Sequence, residues 1–241
     1  MAGENHEKPA KSGKAVIAKR SSSAEIGAFL RTVATADPSR AGRLIFALDA
    51  TMSRQPTWDR AVIIQASMFD AVDQTGGLAV QLVYFRGHDE CRASKWVINA
   101  AALRNLMIGI DCRGGQTQIG KVLSHTLRET EARKVQAMVY IGDAMEENVD
   151  QLCRQAGELG LLGVRGFFFQ EGQDPLAEQA FREMARLTGG AWFRLGPDSA
   201  RELAELLAAV ALYARGGLKA LSDSSRSQAH RLLEQISPSR P

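Results

Sequence analysis

The run Arg43-Leu-Ile-Phe-Ala-Leu-Asp49-Ala-Thr51-Met-Ser53 constrains the fold more than any other stretch of the chain. Five consecutive apolar residues end in a carboxylate and two hydroxyls, and a polar turn and a helical pattern follow. A short apolar run bounded in this way reads as a strand buried on both faces, as parallel strands under helices are. Asp49 then stands at the C-terminal end of the strand. In an open α/β sheet that edge is where loops converge on a crevice and where the next helix points its N-terminus, so Asp-x-Thr-x-Ser is a candidate site.

The rest of the chain repeats the event. Ala137-Met-Val-Tyr-Ile141 is a second apolar run that ends in Gly142-Asp143, and Leu162 to Phe169 and Ala191 to Leu195 are further strand-like runs. Helical patterns alternate with them: from Pro56 and Thr57 to near Gly76, Asn99 to Gly109, Thr117 to Arg133, Glu147 to Leu159, Asp174 to Leu187 and Ser199 to Ala214. Leu78 to Phe85 and Cys91 to Ile98 are separated by only Arg86-Gly-His-Asp-Glu90, too short for a parallel crossover, and therefore form an antiparallel hairpin at a sheet edge. The expected fold is an α/β three-layer sandwich: a doubly wound, mostly parallel, Rossmann-like sheet with one antiparallel edge strand.

At 241 residues, 45% hydrophobic, the chain can bury one large domain, expected at 41–215, flanked by tails. Residues 1–20 read as a disordered basic tail, 21–40 as a helix and linker closed by Asp37-Pro38, and 216–241 as a second basic tail with a short helix near 225–236. Residues 1–20 and 215–241 each carry five Lys or Arg against two acids, which leaves the body slightly acidic although the whole chain is +3. A nucleic-acid-binding body is therefore not expected. Cys91, Cys112 and Cys153 are odd in number and show no CxxC, which argues against a disulfide framework or a zinc knuckle. With no apolar leader and no span-length run, the expected compartment is the cytoplasm.

Three segments place oxygen donors where one crevice could collect them. Asp49, Thr51 and Ser53 follow the first strand, Thr117 follows the Gly-rich loop from Asp111 to Gln116, and Asp143 follows the strand that ends at Ile141. Two carboxylates and three hydroxyls form a hard, oxygen-only set suited to Mg²⁺ or Mn²⁺ rather than zinc. The competing account is that Asp49, Thr51 and Asp143 merely cap the helices that follow them.

These residues resemble the metal-ion-dependent adhesion site (MIDAS) of von Willebrand factor type A (VWA) domains, whose motif is Asp-x-Ser-x-Ser followed by a distant Thr and a distant Asp. The resemblance spans about residues 41–215. Gly114-Gly115-Gln-Thr117-Gln-Ile-Gly120-Lys-Val-Leu123 is similar to the Gly-Gly-Thr-x-Ile-Gly-x-x-Leu of bacterial members, and Ile-Gly-Asp143 to their Thr-Asp-Gly. Thr51 stands in place of Ser, Gln116 is an extra residue, and Ala144 stands where Gly is usual. The resemblance implies a cation held directly by hydroxyls and partly through water by Asp49 and Asp143, with one position open for a carboxylate of a protein partner. It also implies an adaptor or scaffold rather than an enzyme. Specificity would fall to side chains around the mouth of the crevice: Met52, Arg54, Gln55, Gln116, Met145 and Glu146, with Arg54 pairing a second acid of the partner.

Other readings carry less. Gly115 to Lys121 fits the GxxxxGK of a nucleotide-binding phosphate loop, but Val122 supplies no hydroxyl for Mg²⁺ and no strand leads into the loop. A phosphatase with Asp49 as nucleophile would want a second Asp where Thr51 stands. Trp58, Trp96 and Trp192 fall in apolar patterns, Phe167-Phe168-Phe169 reads as a doubly buried strand, and Glu146-Glu147 sits at a helix start, where the dipole favours acids.

Overall fold

A computed structural model describes residues 41–64, 68, 77–196, 200–225 and 227–236. The readings made for 1–40, the end of the helix near Gly76 and the last residues lie outside the described residues. Six strands form one sheet: β1 (Gly42–Asp49), β2 (Leu78–Arg86), β3 (Glu90–Val97), β4 (Ala137–Gly142), β5 (Arg165–Glu171) and β6 (Ala191–Leu195). Their order is β3-β2-β1-β4-β5-β6. Every neighbouring pair is parallel except β2 and β3, the antiparallel edge hairpin.

All eight residues of β1 are buried because alternate side chains serve two cores. Leu44, Phe46 and Leu48 enter one apolar cluster, and Ile45 and Ala47 enter the other. The first cluster is closed by α1 (Gln55–Ile64), α2 (Ala100–Ile108), α6 (Ala200–Ser222, broken at Gly217) and α7 (Ser227–Ile236). The second is closed by α3 (Ile119–Ala132), α4 (Val149–Leu161) and α5 (Pro175–Leu187), which completes a three-layer α/β sandwich.

α5 is legible in its own residues. In α5, Asp174 caps the first turn by accepting from the N–H groups of Leu176 and Ala177, with Pro175 just inside the start. Ala177, Ala180, Phe181 and Met184 then recur at three and four and are buried, so truncating Phe181 to Ala should cost about 3–5 kcal/mol.

One expectation shifts and another is met. The strand expected from Leu162 begins only at Arg165, because the Leu162 N–H bonds Glu158 O and the Val164 N–H bonds Leu159 O, closing α4 first. The short helix expected near 225–236 is α7, and its Ala229, Leu232 and Ile236 are buried in the first core. Among the described residues no helix is long and apolar enough to cross a membrane.

Candidate functional site

Strand order reverses at β1, which has β2 on one side and β4 on the other. Successive crossovers leave this point in opposite directions, so a crevice opens beyond the C-terminal ends of β1 and β4. Leu48 pairs with Ile141 in register, which brings Asp49 and Asp143 to the floor of that crevice from adjacent strands.

Asp49 is fully buried. Its Oδ1 accepts from the Thr51 N–H at 2.7 Å. Its Oδ2 and Asp143 Oδ1 are both buried with no hydrogen-bond partner among the described residues. Burial pushes the Asp49 carboxyl up to about 6; hydrogen bonding from Thr51 opposes the rise, Asp143 adds to it and the Arg54 charge opposes it. Thr51 Oγ1 lies 3.1 Å from Ser53 Oγ, so the hydroxyls of the Asp-x-Thr-x-Ser turn face one another.

The Gly-rich loop is fastened from both sides. Arg113 N–H donates to Ala50 O at 3.0 Å, and Gln116 N–H donates to Gly87 O at 3.2 Å in the β2–β3 turn. A Cβ on Gly115 would stand 2.1 Å from Gly87 O, so only glycine allows this approach. Thr117 is consequently delivered to the crevice, where its Oγ1 accepts from the Glu146 N–H at 3.0 Å and its own N–H donates to Glu146 Oε2 at 3.1 Å. A hydroxyl oxygen that accepts one bond keeps a second lone pair for a ligand.

Sequence reasoning missed what the two glutamates do. Glu146 was expected at the crevice mouth; it is exposed, but its carboxylate braces Thr117. Glu147 was read as an acid at the start of its own helix, whereas Oε2 and Oε1 accept from the Ile119 and Gly120 N–H groups at 2.5 and 2.8 Å and cap α3. The signal was present as two adjacent acids just beyond a strand end, on the side where a glycine-led helix must begin.

The other expected rim residues divide. Met52 and Gln116 are exposed. Arg54 is 1% exposed and forms an ion pair with Glu171 at 2.7 Å, so it is a buried support rather than a contact at the mouth. Met145 is buried in the second core. The side chain of Gln55 lies outside the described residues.

The oxygen set fits a hard divalent cation. Among the described residues two carboxylate oxygens lack hydrogen-bond partners, Thr51 and Ser53 stand on the loop after β1, and Thr117 stands on the Gly-rich loop, tied to the segment after β4 through Glu146. Among the described residues no three His, Cys, Asp or Glu side chains gather to hold a metal, so a cation here would depend on the hydroxyls. The phosphate-loop geometry is disfavoured. The helix N–H groups that a phosphate would use belong to Ile119 and Gly120 and are taken by Glu147, and Lys121 pairs with Asp89. The loop also follows α2 rather than a strand.

No protein-family model and no curated protein matches the sequence. Solved structures do match. The von Willebrand factor type A protein from Catenulispora acidiphila aligns over 73% of this chain and 43% of its own, with a TM-score of 0.58 and 16% identity. The SpRpn10 VWA domain aligns over 68% of this chain and 94% of its own, with a TM-score of 0.57 and 11% identity. Proximal thread matrix protein 1 from the mussel byssus, with a zinc-occupied MIDAS motif, aligns over 79% of this chain and 52% of its own, with a TM-score of 0.56 and 17% identity. The sheet order, the antiparallel edge hairpin and these likenesses agree: the chain has the fold of von Willebrand factor type A domains.

Proposed function

We propose that the chain is a metal-dependent protein-binding module, acting as an adaptor or scaffold, in which Asp49, Thr51, Ser53, Thr117 and Asp143 hold Mg²⁺ or Mn²⁺. The observation that carries this reading is the pair of buried, unpartnered carboxylate oxygens, Asp49 Oδ2 and Asp143 Oδ1, at neighbouring strand ends. Leaving such groups unmatched costs stability, and a cation would match both at once. The zinc-occupied MIDAS of the mussel protein supports divalent binding on this fold. When bound, the cation would supply an electrophilic point to which an Asp or Glu side chain of a protein partner can add as a ligand.

The chain's own residues orient that event. The Glu146 clasp fixes the Thr117 hydroxyl, the Asp49–Thr51 bond sets the turn, and exposed Met52 and Gln116 offer contacts beside the opening. Three cysteines, odd in number and with no CxxC among them, support a reducing compartment, the cytoplasm. A pull-down tests the reading: EDTA should release the partner and Thr117→Ala should weaken its capture, while deleting residues 1–20 should have a smaller effect. Capture that survives EDTA and Thr117→Ala but is lost with the tail would assign binding to the basic segment instead.

A further inference from the structure

A third buried polar atom without a hydrogen-bond partner among the described residues accompanies the two carboxylate oxygens: the hydroxyl of Tyr140. Tyr140 is fully buried on β4, and its ring is held among Phe85, Phe168 and Phe181, with centroids at 6.3, 6.1 and 5.3 Å. A Cβ built on Gly142 would stand 2.5 Å from the Tyr140 hydroxyl oxygen, so the phenol tip occupies the space a side chain would need immediately before Asp143. Burial holds the phenol well above its ordinary range, and Asp49 and Asp143 are among the charges that act on it. Packing alone does not explain a hydroxyl there, because Phe would fill the same volume without an orphaned donor.

We propose that Tyr140 is a positioning residue of the cation site: its hydroxyl donates to the water shell through which Asp49 and Asp143 would hold the cation. Gly142 is the complementary feature, since its missing side chain is what admits the hydroxyl to the crevice floor. This inference rests on the metal-binding reading above. Outer-shell partners of this kind typically change metal affinity by roughly 10–100-fold, because they orient the groups that touch the ion.

The test is Tyr140→Phe on the full chain, with Mg²⁺ and Mn²⁺ titrated by calorimetry and thermal unfolding followed in EDTA. The expected result has opposite signs in the two measurements. Affinity falls by roughly tenfold or more, while the Tm without metal is unchanged or higher because an unmatched buried hydroxyl has been removed. A merely structural tyrosine would lower the metal-free Tm and leave affinity alone, and either observation, or failure of the variant to fold, overturns the proposal. Asp49→Ala separates the two levels. Wild type that binds no cation defeats the reading of the site and this inference with it. Wild type that binds, loses binding in Asp49→Ala and keeps it in Tyr140→Phe defeats this inference alone.

Discussion

Thr117 and Glu146 clasp one another: the Glu146 N–H donates to Thr117 Oγ1 at 3.0 Å, and the Thr117 N–H donates to Glu146 Oε2 at 3.1 Å. The pair ties the Gly-rich loop to the segment after β4, so it both places a candidate ligand and joins two parts of the fold. Thr117→Ala removes the acceptor for one part-buried bond and should cost roughly 1 kcal/mol, or about 2–4 °C in Tm. Thr117→Ser keeps the oxygen and should retain cation binding. Equal calorimetric titration of Thr117→Ala and wild type would remove Thr117 from the ligand set.

Glu147 closes the N-terminus of α3 through two charge-assisted bonds. Glu147→Ala should cost about 1–2 kcal/mol in denaturant unfolding, as loss of a cap does. The same capping predicts that the protein does not hydrolyse ATP or GTP. Hydrolysis that disappears in Lys121→Ala would restore the phosphate-loop reading.

Arg54 and Glu171 form a largely buried ion pair at 2.7 Å. Arg54→Ala removes a buried side chain and leaves the partly buried glutamate without its counter-charge, and should destabilise by about 3 kcal/mol, whereas replacing both partners with apolar residues should cost much less. Denaturant midpoints of the single and double variants decide this. If Arg54→Ala left stability unchanged while weakening partner capture, Arg54 would belong at the mouth after all.

Asp49 makes metal-free stability depend on pH. Its folded pKa, about 6, lies above the ordinary 3.8, so the native state holds the proton more tightly than the unfolded chain does. The resulting penalty is absent below about 4, grows as pH rises towards 6 and is complete above it, approaching 2–3 kcal/mol. Other acids titrate in the same range, so the comparison is with Asp49→Asn in EDTA. The variant should be more stable than wild type by a margin that widens between about pH 4 and 6 and then levels. A margin that is constant with pH would show that Asp49 is not a strained carboxylate.

Much of the fold was legible because each β strand between helices must be apolar on both faces. Leu44 to Leu48 and Ala137 to Ile141 announce themselves, and their carboxylate ends follow from the chain alone. The link from Arg86 to Glu90, five residues as read from the sequence and only Gly87 to Asp89 in the structure, pointed to the antiparallel edge, because no crossover fits it. What stayed hidden was long-range. Nothing near Arg54 points to Glu171, and nothing near Glu147 says that it caps α3 rather than its own helix. The docking of α7 was masked by basic residues on its outer face, although Ala229, Leu232 and Ile236 stood at helical spacing. Tyr140 left a faint signal, a hydroxyl in an otherwise aliphatic strand two residues before a glycine.

The central claim is that a divalent cation is held between Asp49 and Asp143. Calorimetric titration of Mg²⁺ and Mn²⁺ into metal-free wild type, Asp49→Ala and Asp143→Ala tests it most directly. The account predicts one divalent site in wild type, none in Asp49→Ala and a severely weakened one in Asp143→Ala, with all three proteins folded by circular dichroism. Identical titrations for wild type and Asp49→Ala would contradict it and return these residues to the role of helix caps.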